Sequence, residues 1–396
     1  MKKVLIIYPS MLLGGSTTSL LAFMNNLDAD RYQIDLQLRK NEGVLFADIP
    51  KHVNILPEAE RYAGPKGKVV KLLRFVFQGA FFKASYVSLK NRKIGISTAV
   101  CNEFLAKSVS RKNPAHYDYA IGFLEGWSDS YLAYSVNADK KYAWLHSTFA
   151  NITNDPKSHL PWMRKVDRIV FVTDACKDDF IKTLPSMAEK AMTVENIIDS
   201  SIIRKRSECA DSEDEAYARF CNAECFKIIT VCRITIHTKG LDRIVNCAKR
   251  LREKNIPFLW YIVGSGEDAE RLQALVADAQ LTGYLVLIGE RMNPYTFIKE
   301  ADIMCMPSRY EGKPMVITES MILGVPPVVT EYLSAHDQIQ DSFDGIIVPN
   351  TDEAIVDAVL DCIQNRDKVL KIKTHLKGQE YGNKKYMAEI EAKLFE

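Results

Sequence analysis

Two cations and two carboxylates in the second half of the chain could do chemistry together. Arg233 follows the apolar run Phe226–Cys232, and Lys239-Gly240 comes six residues later. Glu311 and Glu319 lie eight apart in Ser308-Arg309-Tyr310-Glu311-Gly312-Lys313-Pro314-Met315-Val316-Ile317-Thr318-Glu319. Taken singly, such pairs are common. In this order, each just past a strand-like run, they suit a diphosphate carrying a sugar. Arg233 and Lys239 would place two cations on the diphosphate, with arginine able to bind bidentately. A helix starting near Met315 would aim its free N–H groups and positive end at the same phosphates. Gly312 allows close approach of the backbone, and Pro314 fits a first helical turn. Glu311 can accept hydrogen bonds from sugar hydroxyls, and Glu319 can reach a ribose diol.

The elements that must position these residues follow a strand–helix rhythm. Val4–Tyr8 is a short apolar run of the buried parallel-strand type, then comes a loop with Gly14-Gly15 and a helix with Leu20, Leu21, Phe23, Met24 and Leu27 at helical spacing. Further strands are expected at Gln33–Leu38, Tyr119–Phe123, Lys141–Leu145, Arg168–Val172 and Thr193–Ile197. A polar stretch at 199–225, with Glu208, Asp211, Glu213, Asp214 and Glu215, reads as a surface linker or connecting helix. The rhythm then restarts with strands at Phe226–Cys232, Phe258–Val263, Leu285–Ile288, Ile303–Met306, Pro327–Thr330 and Gly345–Val348. Gly264-Ser265-Gly266 reads mainly as a tight turn. Two α/β series joined once imply two parallel sheets facing across a cleft, with ligands at the carboxyl ends of the strands.

Glu311-Gly312-Lys313-Pro314 through Glu319, with Arg233, Lys239-Gly240 and Gly324-Val325-Pro326, resembles family 4 of the retaining glycosyltransferases. The resemblance is close over residues 226–350. In the first half, Gly14-Gly15, Tyr119–Gly126 and Ala143-Trp144-Leu145-His146-Ser147 are similar to bacterial members that build capsule, exopolysaccharide and lipopolysaccharide. The resemblance implies the GT-B fold, two Rossmann-like α/β domains: residues 1–198, with 381–396 crossing back to them, and residues 199–380. It implies that His146, Arg233, Lys239 and Glu311 are catalytic, with His146 beside the anomeric carbon. Gly14, Gly15, Gly264, Arg291, Gly312, Lys313, Pro314, Met315, Val316 and Glu319 would contact the donor. Ser265, Lys313 and the segment Glu195-Asn196-Ile197-Ile198-Asp199 depart from the family pattern.

The implied reaction moves a hexose or N-acetylhexosamine from a nucleotide diphosphate sugar, UDP-linked, to a lipid-linked or growing cell-surface glycan. The anomeric configuration is retained, and the diphosphate oxygen takes the acceptor's proton. Cations and helix N–H groups stabilise the leaving diphosphate, so no metal or other cofactor is expected. Asp28-Ala29-Asp30 imitates a metal-binding DxD, but its place between a helix and a strand reads as a turn. His146 could also be a core histidine, and Glu125 either a site carboxylate or a helix cap. Two other functions remain open at this stage: a nucleotide-sugar 2-epimerase of the same fold, and a non-catalytic nucleotide-sugar-binding partner subunit.

Composition adds boundaries. The 396 residues are 47% apolar and 26% charged, which are globular values. The nine cysteines form no CxxC pair or disulfide framework, which suits a reducing cytoplasm. No apolar run approaches the length of a membrane span. The net charge of +2 hides an asymmetry. Nine Lys/Arg and no Asp or Glu lie between Arg61 and Asn102. Val69, Leu72, Leu73, Val76 and Ala80 share one helical face there, and Lys71, Arg74 and Gln78 another. Two readings stand: residues 66–93 lie on an anionic membrane, at the inner face of the plasma membrane, or the helix packs on its domain with its basic side in water. No nucleic-acid motif accompanies the charge.

Overall fold

The computed structural model describes residues 1–62, 64–81, 83, 98–209 and 213–395. The chain divides into two compact units, Met1–Ile197 with Lys385–Glu396, and Ile198–Lys384.

Among the described residues, the first unit holds a seven-stranded sheet in the order β3-β2-β1-β4-β5-β6-β7. Its strands are β1 (Lys2–Tyr8), β2 (Tyr32–Leu38), β3 (Asn54–Ile55), β4 (His116–Gly122), β5 (Asn137–Leu145), β6 (Arg168–Phe171) and β7 (Ala191–Thr193). The pairings are parallel, with Val4 opposite Ile34 on one side and Tyr119 on the other. The apolar run of β1 is explained by burial on both faces. Val4, Ile6 and Tyr8 enter one cluster with Phe23 and Trp144, while Leu5 and Ile7 enter another with Trp127 and Tyr131. Met387, Ile390, Leu394 and Phe395 of the last helix, Met387–Phe395, join the first of these clusters.

The second unit holds a six-stranded parallel sheet in the order β10-β9-β8-β11-β12-β13. Its strands are β8 (Phe226–Val231), β9 (Phe258–Val263), β10 (Leu285–Gly289), β11 (Ile303–Met306), β12 (Pro327–Thr330) and β13 (Ile346–Val348). Its core includes Trp260, whose indole N–H donates to Thr230 Oγ1 at 3.0 Å, while the Thr230 hydroxyl donates to the Cys305 carbonyl at 2.6 Å. In each unit the strand order reverses once, between β1 and β4 and between β8 and β11. Such switch points leave a crevice at the carboxyl ends of the strands.

Three details bear on the sequence reading. The strand expected at Thr193–Ile197 ends at Thr193, because the chain leaves β6 and bonds a side chain instead: Ile197 N–H donates to Ser19 Oγ at 3.1 Å. The acidic stretch 199–225 carries two helices, Ser200–Ser207 and Glu215–Cys221. Asp199 and Asp214 cap them through Ser201 N–H (3.0 Å) and Ala216 N–H (2.9 Å).

The third is the basic helix, Gly64–Phe77, which does not keep its basic side in water as the packed reading expected. Lys71 pairs with buried Glu60, which Arg39 also holds at 3.1 Å. Arg74 donates to the Ser108 carbonyl at 2.9 Å and lies over the Tyr62 ring. Burial would raise the Glu60 carboxyl, but Lys71 and Arg39 outweigh it and hold the group below its ordinary value. The basic face thus satisfies a buried carboxylate, and apolar residues face water. Lys90, Arg92 and Lys93 lie outside the described residues, as do Phe82 and Asp211 and the side chain of Lys66.

Candidate functional site

The second unit brings four of the expected residues to its switch point. Lys239 closes a short helical turn, Ile236–Lys239, after β8, and its Nζ donates to Glu311 Oε1 at 2.6 Å. The Ser308 hydroxyl donates to the same oxygen at 2.7 Å. Burial opposes the charge on Lys239, but the Glu311 carboxylate outweighs it and raises the lysine above its ordinary value. An ammonium has three donors, so Lys239 keeps two for a further anion. Arg233 is near enough to Lys239 to repel it. The site therefore concentrates positive charge around one buried carboxylate.

Gly240 explains why the lysine is there. Its φ is +64°, a left-handed conformation that L side chains avoid, and a Cβ would stand 2.0 Å from the Pro307 carbonyl oxygen. Only glycine allows the β8 and β11 loops to meet this closely. Arg243 braces the same loop, donating to Asn350 Oδ1 at 2.5 Å and to the Pro307 carbonyl at 3.3 Å. Arg309 adds a two-bond pair with Asp242, both at 2.8 Å.

Gly312, Lys313 and Pro314 lead into the helix Met315–Ile322, which no described side chain caps. Pro314 sits at its cap position with φ −67°, so Met315 and Val316 open the first turn. The Gly312 carbonyl accepts the Ser334 hydroxyl and the Pro314 carbonyl accepts Gln338 Nε2 at 2.9 Å, fixing the loop from outside. The helix start is therefore a rigid set of N–H donors.

Glu319, on the buried side of that helix, accepts the Tyr295 hydroxyl at 3.0 Å. Burial is the main cause that pushes its carboxyl up, from an ordinary 4.5 to about 7; Tyr295 and Arg206 pull the other way. A carboxyl raised on folding binds its proton more tightly in the folded state. Its contribution is full below the unfolded value and is lost as pH rises through about 7. Glu319→Gln should therefore leave the melting temperature unchanged at pH 4. At pH 8 it should stabilise the protein by up to about 3 kcal/mol, measured by thermal unfolding at the two pH values.

Two expected donor contacts have other work in the fold. A Cβ at Gly264 (φ +147°) would stand 1.9 Å from the Cys232 carbonyl oxygen, so this glycine is needed where two strand-end loops touch. The Arg291 guanidinium donates to Asp214 at 3.1 Å.

In the first unit, His146 follows β5 and stands against Phe123 and Trp144, with ring centroids at 5.1 and 6.2 Å. Its backbone N–H donates to Glu125 Oε2 at 2.9 Å. Burial lowers the imidazole's pKa, while Glu125, the Phe123 carbonyl and Asn196 pull it back up. The Asn196 side chain accepts the Ser19 hydroxyl at 3.3 Å, so Ser19 ties the first helix to the end of this sheet. Gly14 and Gly15 begin that helix, Gly15–Asn26; Gly14 is extended and has room for a Cβ. Asp28 Oδ1 accepts the Asp30 N–H at 2.9 Å, the turn expected there.

Ser308, Tyr295, Arg206 and Asn196 were not singled out as site residues from the sequence. No spacing signal could have found Tyr295 or Arg206, which reach Glu319 from other βα units.

With that geometry in place, the chain can be set beside known proteins. Residues 220–379 match the family described as glycosyl transferases group 1. The match covers most of the second unit and both carboxylates of the site. The amylovoran biosynthesis glycosyltransferase AmsK of Erwinia amylovora is 28% identical over 144 residues, 34% of this chain and 35% of that protein. The UDP-Gal:alpha-D-GlcNAc-diphosphoundecaprenol alpha-1,3-galactosyltransferase of Escherichia coli is 30% identical over 129 residues, 32% of this chain and 33% of that one. Each alignment thus spans about a third of its relative. Among solved structures, Anabaena Alr3699/HepE in complex with UDP and glucose superimposes with a TM-score of 0.68 at 14% identity, covering 99% of both chains. That likeness shows the fold, two parallel-sheet α/β units of the GT-B type.

Proposed function

We propose that the protein is a retaining glycosyltransferase that moves a hexose or N-acetylhexosamine from a UDP-linked donor to a lipid-linked or growing cell-surface glycan, at the cytoplasmic face of the membrane. The observation that carries it is the Lys239–Glu311 pair, set at the switch point of the second sheet within the group 1 segment. Lys239 and Arg233 would neutralise the donor diphosphate, and the first turn from Met315 would give it N–H groups. Glu311, fixed by Ser308, would accept from the donor sugar. Glu319 would accept from the ribose diol, and the backbone by Arg291 would meet the base. In the first unit, His146 would lie beside the anomeric carbon, with Gly14-Gly15 against the donor. Protein cations do the work of a divalent ion in this reading. The names of AmsK and the E. coli galactosyltransferase support the choice of acceptor class, and the UDP bound to HepE supports the nucleotide.

A nucleotide-sugar panel with a lipid-linked acceptor tests this. The expected result is one UDP-sugar that binds, turns over into a glycoside of unchanged anomeric configuration by NMR, and does so equally in EDTA. A free epimer as sole product, or inversion at the anomeric carbon, would overturn it.

A further inference from the structure

In the proposed reaction the Glu319 carboxylate meets a ribose diol, and its angle decides whether it can accept both hydroxyls. Oε1 accepts the Tyr295 hydroxyl at 3.0 Å, and among the described residues no other group donates to this carboxylate. The last torsion of a glutamate side chain is soft, with a broad distribution rather than staggered wells. A carboxylate left alone would turn about it, and its oxygens would not stay aimed at a diol. A donor prefers to lie near the plane of the oxygen it bonds, so the tyrosine restricts that turn. Tyr295 is itself held. It is 4% exposed and opens the helix Tyr295–Glu300 after β10. Arg206, near the end of the helix Ser200–Ser207, lies over its ring at 5.2 Å. The Arg206 guanidinium donates to the Met292 carbonyl at 2.5 Å, and Asn293 Nδ2 donates back to the Arg206 carbonyl at 2.8 Å. The two segments are thus tied in both directions just before the tyrosine.

We infer that Tyr295, held by Arg206, is a positioning residue that fixes the Glu319 carboxylate for two hydroxyls and so makes the site select a ribonucleotide over a deoxyribonucleotide. This rests on the proposed contact of Glu319 with the ribose diol, and it names the residues that give that contact its geometry. Burial and the neighbouring carboxylate push the Tyr295 phenol well above its ordinary pKa, so it stays a donor at working pH. Tyr295 and Arg206 also favour the ionised form of Glu319 against the burial that opposes it. Only that form accepts on both oxygens. A site built to bond a hydroxyl rejects an analogue that lacks it, because a buried polar group is then left unpaired. That rejection needs acceptors that stay in place. The ribose is remote from the bond that breaks, so its contacts are the same in the ground and transition states. Their loss should raise KM and leave kcat nearly alone.

The experiment is calorimetric titration of the full chain with UDP, 2′-deoxy-UDP and 3′-deoxy-UDP. The wild type should bind UDP about tenfold or more tightly than either analogue. Tyr295→Phe removes only the hydroxyl. It should bind UDP about tenfold more weakly and the analogues nearly as the wild type does, so that the preference disappears. With the working UDP-sugar its KM should rise about tenfold while kcat changes by less than about twofold. Glu319→Met has no carboxylate to position and should lose the preference as well. Arg206→Gln, at the half-buried rim of the cluster, serves if Tyr295→Phe does not fold; it should reduce the preference about threefold. A folded Tyr295→Phe protein that keeps the wild-type preference would overturn the inference. So would an equal loss of affinity for UDP and both analogues, which would make the tyrosine a structural brace. The two questions stay separable. Preference lost in Glu319→Met but kept in Tyr295→Phe sinks the tyrosine's role and leaves the proposed reaction standing. Preference kept in Glu319→Met removes the ribose contact, and the inference with it.

Discussion

Lys239→Ala and Glu311→Gln should each lower glycosyl transfer by about 10²–10³-fold, measured as kcat/KM with the best UDP-sugar. The two variants should fail for different reasons. Lysine truncation removes a cation from the developing diphosphate and leaves Glu311 buried with only the Ser308 hydroxyl. Removing one partner of a buried pair costs stability as well, on the order of 3–5 kcal/mol at full burial, and less here because the lysine is one-fifth exposed. Glu311→Gln keeps a neutral acceptor for Lys239 and the same shape, so its stability cost is smaller. The double variant Lys239→Met with Glu311→Gln separates structure from chemistry. It buries no unpaired charge, so thermal stability should return toward wild type. If the pair matters to catalysis, transfer stays as low as in the worse single variant. If transfer returned with stability, the pair would be a structural brace and the proposed chemistry would lose its centre.

Part of this arrangement was legible in the sequence, for a physical reason. Strands buried on both faces need apolar residues at every position. Runs such as Phe258–Val263, Ile303–Met306 and Pro327–Thr330 therefore announce themselves, and those three have the bounds the sequence suggested. The two parallel-sheet units of the fold follow from two such series. β3 has two residues at a sheet edge and carries no pattern that could be read. β7 was misplaced because Val194 and Ile197 are as apolar as strand residues; Val194 N–H still bonds the Phe171 carbonyl at 2.9 Å, but β6 ends there, and Ile197 N–H turns to Ser19 instead. The packed reading of the basic helix, with its cations in water, failed for a different reason. Helical periodicity correctly separates its two faces but cannot say which one faces inward. That is decided by Glu60, a buried carboxylate on the preceding segment that draws lysine to it. Rules that put charge in water fail where a buried countercharge is waiting.

The candidate site shows the same limit. Glu311, Glu319, Arg233 and Lys239 could be singled out because they punctuate strand ends. Ser308 lies three residues before Glu311 and carries no distinguishing feature until its hydroxyl is seen on the carboxylate. Tyr295 and Arg206 act on Glu319 across 24 and 113 residues of chain, as a hydroxyl donor and as a cation over the Tyr295 ring. A sequence gives spacing along the chain, and these contacts depend on which βα units the sheet order makes neighbours.

Gly240→Ala should be nearly as damaging as loss of Lys239, although glycine has no side chain to offer a ligand. Two costs combine. Alanine in the left-handed region costs about 1–2 kcal/mol. Its Cβ would stand 2.0 Å from the Pro307 carbonyl oxygen, which must move; forced overpacking typically costs a further ~1–3 kcal/mol. The movement is aimed at the site, since Lys239 precedes the glycine and Ser308 follows the proline. A displacement of about 1 Å there is worth roughly 10²-fold in rate. Gly324→Ala is the matched control. Its φ is +73°, so the conformational cost is the same, but its Cβ would meet only the flexible Lys377 side chain at 3.3 Å. Gly324→Ala should therefore lose about 1–2 kcal/mol of stability and keep transfer activity at temperatures where it is folded. Gly240→Ala should lose activity even where circular dichroism shows it folded. Equal activity in the two folded variants would mean that the contact between the β8 and β11 loops does not set the position of Lys239, and that the lysine finds Glu311 by its own flexibility.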